Sequence, residues 1–190
     1  DEQIAQVLAI RDYEQAPYLV LATRSGLVKK TRLAEYNSPR QAGVIAINFR
    51  DPDDELIGAE LVDSDDDILL VSRKGQAIRF AADDSQLRPM GRATSGVTGM
   101  KFRGDDSMLS MSVIRAGADQ LETDQEQFVF TITDGGFAKR SRISEYRTQS
   151  RGGLGVKAMA LGNEDRGGLV GAFIVVEGDE ILSITSGGQV

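Results

Sequence analysis

Two segments of the chain place cations in matching register. Lys29, Lys30 and Arg32 in Leu27-Val-Lys-Lys-Thr-Arg-Leu-Ala-Glu-Tyr36 align without a gap on Lys139, Arg140 and Arg142 in Phe137-Ala-Lys-Arg-Ser-Arg-Ile-Ser-Glu-Tyr146. A third segment, Gln76-Ala-Ile-Arg79-Phe-Ala, keeps one arginine and follows Arg73 and Lys74. Downstream of each lies an arginine shortly before a glycine: Arg40 before Gly43, Arg92 before Gly96, Arg151 before Gly155. Guanidinium forks and ammonium groups hold phosphate by charge-assisted hydrogen bonds, and successive N–H groups of a glycine loop can add an anion nest. The richest loop is Gln149-Ser-Arg-Gly-Gly-Leu-Gly155, so Gln149, Arg151, Gly152, Gly153 and Gly155 are expected beside the cations on a phosphate-binding surface. The bland alternative is a solvated strand face of mixed charge, joined by plain glycine turns.

Other chemistries find no footing. The 190 residues include no Cys and no His, which removes disulfides, Cys/His zinc sites, thiol nucleophiles and a histidine-based triad. Gly91-Arg-Ala-Thr-Ser-Gly96 has P-loop glycine spacing, but Val97-Thr98 follows where Lys-Ser/Thr is required. The acidic runs Asp51–Glu55 and Asp63–Asp67 lack a twelve-residue calcium loop with a terminal Glu and are expected to blunt strand connections. None of Tyr13, Tyr18, Tyr36 and Tyr146 neighbours an activating base, and Tyr36 and Tyr146 are expected to pack. No catalytic residue, metal ligand or membrane span is assigned.

The elements that carry these residues repeat. Turn glycines Gly26, Gly75, Gly136 and Gly188 close matching strand–turn segments that begin near Tyr18, Asp67, Gln127 and Glu180. Spacings of about 50–60 residues belong to the blades of a propeller-like array. Each unit then shows a Gly-Val step (Gly43-Val44, Gly96-Val97, Gly155-Val156), an alternating stretch such as Ile45–Phe49, and a closing apolar run such as Leu56–Val62. Short runs rich in Val, Ile, Phe and Thr between Gly, Asp and Ser read as strands, four per unit. The expectation is a single all-β domain with blades at 18–66, 67–126 and 127–179. Residues 1–17 would end a preceding blade and 180–190 would start another, as in a piece of a larger protein. A short helix near Arg32–Tyr36 is the one exception, and 115–126 and 162–168 read as polar loops.

Charge follows the repeat. The net charge is −7, yet residues 24–43, 73–96 and 134–157 hold sixteen basic and five acidic side chains, a surplus of +11, so the rest carries −18. Related units stacked by a constant rotation would turn such recurrence into a positive stripe, a track for a duplex with one charge per about 1.7 Å of axis.

The repeated units, the Gln149–Gly155 loop, Leu87-Arg-Pro-Met-Gly-Arg-Ala-Thr-Ser-Gly-Val97 and Tyr18-Leu-Val-Leu-Ala-Thr-Arg resemble the C-terminal domain of the DNA gyrase A family over essentially the whole chain. That family's box reads Gln-Arg-Arg-Gly-Gly-Lys-Gly or close to it. The resemblance implies a β-pinwheel of four-stranded blades in which a strand crosses to the neighbouring blade. It implies a non-catalytic domain that wraps double-stranded DNA to support negative supercoiling in the cytoplasm, at the nucleoid. Partners would be the rest of gyrase A, and gyrase B. ATP and magnesium would serve the whole enzyme, with no cofactor in this chain, and the isolated domain would be monomeric. Ser150 and Leu154 depart from the box, where basic residues are usual, and the family's principal box lies in the first blade, ahead of residue 1. The topoisomerase IV C-terminal domain shares the blades and remains the alternative. A propeller serving as a protein-interaction platform is a further one.

Overall fold

The computed structural model describes residues 2–120, 125–162 and 164–190; parts of the polar connections expected over 115–126 and 162–168 lie outside them. Three antiparallel sheets follow one another along the chain. In the first, β1 (Tyr18–Thr23) pairs with β2 (Leu27–Arg32) across the Gly26 turn and with β3 (Leu56–Val62) on its other edge. The second repeats this with β4 (Asp67–Ser72), β5 (Gln76–Ala81) and β7 (Met108–Ile114). The third uses β8 (Gln127–Thr133), β9 (Ala138–Arg142) and β11 (Leu169–Val176).

The fourth strand of a sheet comes from the next unit. β6 (Val97–Thr98) pairs with β2, and β10 (Val156–Lys157) pairs with β5. The Gly-Val step thus crosses between blades, giving sheet orders β3-β1-β2-β6 and β10-β5-β4-β7. The crossing explains its glycine. Gly155 has φ +72°, and a Cβ there would collide with the Ala77 carbonyl of the sheet it joins. The alternating stretches expected to follow the step are not strands: among the described residues only the two residues of β6 and of β10 pair, and Ile45–Phe49 has no sheet partner. Residues 2–10 and 180–190 likewise carry no strand. The short helix near Arg32–Tyr36 is a 3-10 turn over Leu33–Tyr36, matched by another at Ile143–Glu145.

Burial explains why the strands read as nearly continuous apolar runs. Ile68, Leu70, Ile78 and Phe80 face the first sheet and pack with Val20, Val28, Val62 and Met100. Their neighbours Leu69, Val71 and Ala77 face the third sheet with Val129, Ile143, Tyr146 and Leu169. The middle sheet is covered on both faces, which removes the polar alternation of a half-exposed sheet. On the far side of the first sheet, Leu19, Leu21 and Leu33 gather Tyr13 and Tyr36. Both repeat-equivalent tyrosines therefore pack.

Candidate nucleic-acid interface

Strand register superposes Lys30, Arg79 and Arg140, each directly opposite the third residue of a first strand or its equivalent: Val20, Leu69 and Phe130. Lys30 and Arg79 are not on the surface. Lys30 is 0% exposed; its Nζ donates to the Ala82 carbonyl at 2.6 Å and to Asp84 at 3.2 Å, and sits 4.5 Å from the Tyr18 ring centre. Arg79 is 6% exposed and donates to Asp67 (2.7 Å), Asp119 (2.6 Å) and the Tyr146 carbonyl (3.3 Å). Burial works against its charge, but the hydrogen bonds to Asp119 and Asp67 outweigh it and raise its pKa. Each cation thus clamps its blade to the following one. Backbone bonds run alongside, from Met90 N–H to Lys30 O (2.7 Å) and from Gln149 N–H to Arg79 O (2.8 Å).

Lys29 is also 0% exposed, its ammonium held by the carbonyls of Ala46, Arg92 and Thr94. The expectation that Lys29, Lys30 and Arg79 touch phosphate is therefore corrected: side chains at most 6% exposed, with their donors turned to acceptors inside the protein, present no open surface to a ligand. Burial, followed by repulsion from Arg92, lowers the Lys29 pKa to about 8, against the opposing pull of Glu35. A folded pKa below the unfolded value near 10.5 means that the unfolded chain binds more protons between the two. Stability should thus rise from about pH 8 toward about 10, by at most about 1.4 kcal/mol per pH unit from this residue. Above about 10 the half-buried Tyr36 and the buried Tyr146, whose pKa values burial raises, act the other way. Urea midpoints at about pH 7.5, 8.5 and 9.5 check this; Lys29→Met should flatten the rise.

The glycine loop has a similar internal role. Arg151 donates from its backbone N–H to the Gln86 side chain (2.8 Å), from Nε to Gln86 O (2.5 Å) and from Nη1 to Thr98 O (2.6 Å). The Gly152 N–H goes to Gly99 O at 2.8 Å. Two amides and the fork of the expected nest are committed to the blade junction, so Arg151 and Gly152 do not form an open anion site. Gly153 gives its carbonyl to Lys101 N–H (2.9 Å), and Gly155 serves the strand crossing. Arg92 repeats the contact one unit earlier, with Nη1 on Ile45 O at 2.6 Å.

The remaining expected cations are exposed. Lys74 pairs with Asp105, Arg140 with Glu177 at 2.9 Å and Arg142 with Glu126 at 3.2 Å. Such surface pairs are weak and exchange readily for phosphate. Arg32, Arg40, Arg73 and Lys139 make no ion pair among the described residues. Neither do Arg88, Lys101, Arg103 and Lys157, of which sequence reasoning singled out none as a site. The available signal was a lysine or arginine flanking the Gly-Val steps and the stretches after them, outside the register-matched pairs. Acidic side chains cap turns: Asp54 accepts the Ser25 N–H (2.9 Å), and Asp66 accepts those of Asp63 (2.8 Å) and Ala116 (3.0 Å). No cluster able to hold a metal ion, and no helix long and apolar enough to cross a membrane, occurs among the described residues.

The family model described as the DNA gyrase C-terminal domain, beta-propeller, matches residues 17–63, 66–115 and 127–175, one stretch for each sheet. The chain belongs to this family. Over its whole length the domain is 72% identical to the DNA gyrase A protein of Nocardioides sp. (strain ATCC BAA-499 / JS614) and 62% identical to that of Streptomyces coelicolor. It spans less than a quarter of these relatives, 23% and 22% of their lengths. Among solved structures, the C-terminal domain of DNA topoisomerase IV superposes with a TM-score of 0.78 at 27% identity, over 92% of this chain and 51% of that one. A DNA gyrase A C-terminal domain gives 0.72 at 26%, over 88% and 52%. The backbone is thus shared by both kinds of domain, and the close sequence relatives are gyrase proteins.

Proposed function

We propose that this domain binds duplex DNA through its phosphates and bends it around the blades. In a complete gyrase, joined to the rest of gyrase A and assembled with gyrase B, it would thereby support ATP-dependent negative supercoiling at the nucleoid in the cytoplasm. The cleaving tyrosine, ATP and magnesium act elsewhere in that enzyme, and the domain on its own is a monomer. The observation that carries this reading is the set of exposed cations without carboxylate partners among the described residues, Arg32, Arg73, Arg88, Lys101, Arg103 and Lys157, on a chain of net charge −7. Bending 20–30 base pairs by 40–90° costs on the order of 1–6 kcal/mol, which phosphate contacts must offset. Contacts to phosphate position the duplex without reading its sequence. With about six phosphates neutralised, log affinity should fall against log salt with a slope near −5, alike for unrelated duplexes. Fluorescence anisotropy of the domain with two duplexes at several salt concentrations measures it. A flat response would sink the proposal.

A further inference from the structure

We infer that, within these three blades, the grip on DNA is concentrated at the junction of the second and third rather than spread evenly as a stripe over all of them. This rests on the DNA-binding reading above. A cleft of about 130 Å³ there is lined by Lys74, Gln76, Lys101, Arg103, Asp106 and Leu154. Two backbone pairings assemble it from separate units. Lys101 N–H donates to Gly153 O at 2.9 Å, which fastens the Lys101–Arg103 stretch to the glycine loop. Lys157 on β10 lies directly opposite Gln76 on β5, so both side chains project from the same face of that sheet. Three cations thus line the cleft with Leu154, itself 36% exposed, and Lys157 projects beside Gln76 at its wall; among the described residues only Lys74 of these four has a carboxylate partner, the exposed Asp105.

The repeat supplies an internal comparison. At the junction of the first and second blades the same places are held by Ser25 for Lys74, Asn48 for Lys101 and Thr98 for Lys157. Backbone geometry verifies the match, because Asn48 N–H donates to Thr94 O (3.1 Å) and Thr98 lies opposite Leu27. The one cation kept there, Arg50, is occupied with the Gly96 carbonyl at 2.6 Å. In the third unit, Gly135, Ala160 and Gly162 stand where the second has Lys74, Lys101 and Arg103. The fold therefore does not require these charges. Strand pairing and glycine crossing are the same without them, while the one junction that has them presents flexible, solvated donors beside a loop whose own Ser150 and Leu154 carry no charge. The ligand chemistry this fits is the sugar–phosphate backbone of a duplex.

The test uses the full-length gyrase A polypeptide containing this domain and a random-sequence duplex. Amine acetylation read by mass spectrometry should slow several-fold at Lys101 and Lys157 when DNA is added, with the buried Lys29 and Lys30 unreactive throughout. The variant K101A/R103A/K157A should have a salt slope shallower by about 2.7, one increment per lost phosphate contact. The equally charged control R11A/R147A/R166A, at cations outside that set, should lose less than about one increment. All six side chains are exposed or half-exposed, so both variants keep the fold. Equal losses in the two variants, or unchanged labelling of Lys101 and Lys157 on bound DNA, would overturn the concentrated grip and leave DNA binding standing. No loss in either would overturn both.

Discussion

Arg79→Ala should lower the unfolding free energy by about 3 kcal/mol, the range for removing one partner of a buried ion pair. The guanidinium is buried between two blades, and its removal strands the Asp67 carboxylate, 17% exposed, together with the Ile143 and Tyr146 carbonyls it reaches. Asp119 loses less, because at 45% exposure it can rehydrate, which holds the expectation to the lower end of the range. Arg79→Lys should recover part of the loss, as Lys30 makes the same crossing one unit earlier with an ammonium, but a single Nζ cannot serve two carboxylates and two carbonyls. Urea unfolding of the three proteins measures it. A loss below about 1 kcal/mol for the alanine variant would mean that the clamp contributes no more than a surface pair. Acid offers a second reading. The Arg79 hydrogen bond holds the Asp119 pKa below the usual carboxylate range, so its stabilisation is present above the unfolded carboxylate pKa and is lost as pH falls through the folded one. The Arg79→Ala protein should lack that part of the acid sensitivity.

Gly155→Ala should be comparably damaging for an unrelated reason. With φ at +72° an alanine would carry about 1–2 kcal/mol of backbone strain. Its Cβ would also overlap the Ala77 carbonyl, and relieving that overlap adds roughly 1–3 kcal/mol or unpairs β10 from β5. Gly43 separates the two contributions. It holds the same repeat position at φ +77° but has no atom within 4 Å of an added Cβ in this chain, so Gly43→Ala should show the strain alone. If Gly155→Ala and Gly43→Ala shift the thermal midpoint equally, the strand crossing is looser than the geometry indicates. Since the crossing places Lys157 beside Gln76, the Gly155 variant should also weaken DNA binding, whereas the Gly43 variant should not.

Together these residues change the meaning of the repeated charges. Lys29, Lys30 and Arg79 recur in register because each serves the joint to the next blade; equal position in a repeat brings equal burial as readily as equal exposure. Arg140 and Lys139 keep the pattern but stand exposed, because among the described residues no further sheet packs over β9. Arg92 and Arg151 follow the same logic, each donating to a carbonyl of the crossing strand or its equivalent. The cations left to meet phosphate are mostly those that break the repeat, Lys101 and Lys157 above all.

What the sequence determined on its own was the unit: strand, glycine turn, strand, Gly-Val step and closing strand, and with it an all-β array of blades. Those features are local. A turn glycine and a run of β-branched residues act within a few positions, and their recurrence at about 50–60 residues leaves little choice of architecture. Family kinship was legible for the same reason, through a loop motif and a strand motif. What only the tertiary structure decided was which charges are free. Exposure of Lys30 depends on Ala82 and Asp84, and that of Arg79 on Asp119 and Tyr146, residues contributed by other segments. Solvent access is a property of the neighbours that fold against a side chain, and here those neighbours arrive from the following blade through a strand only two residues long.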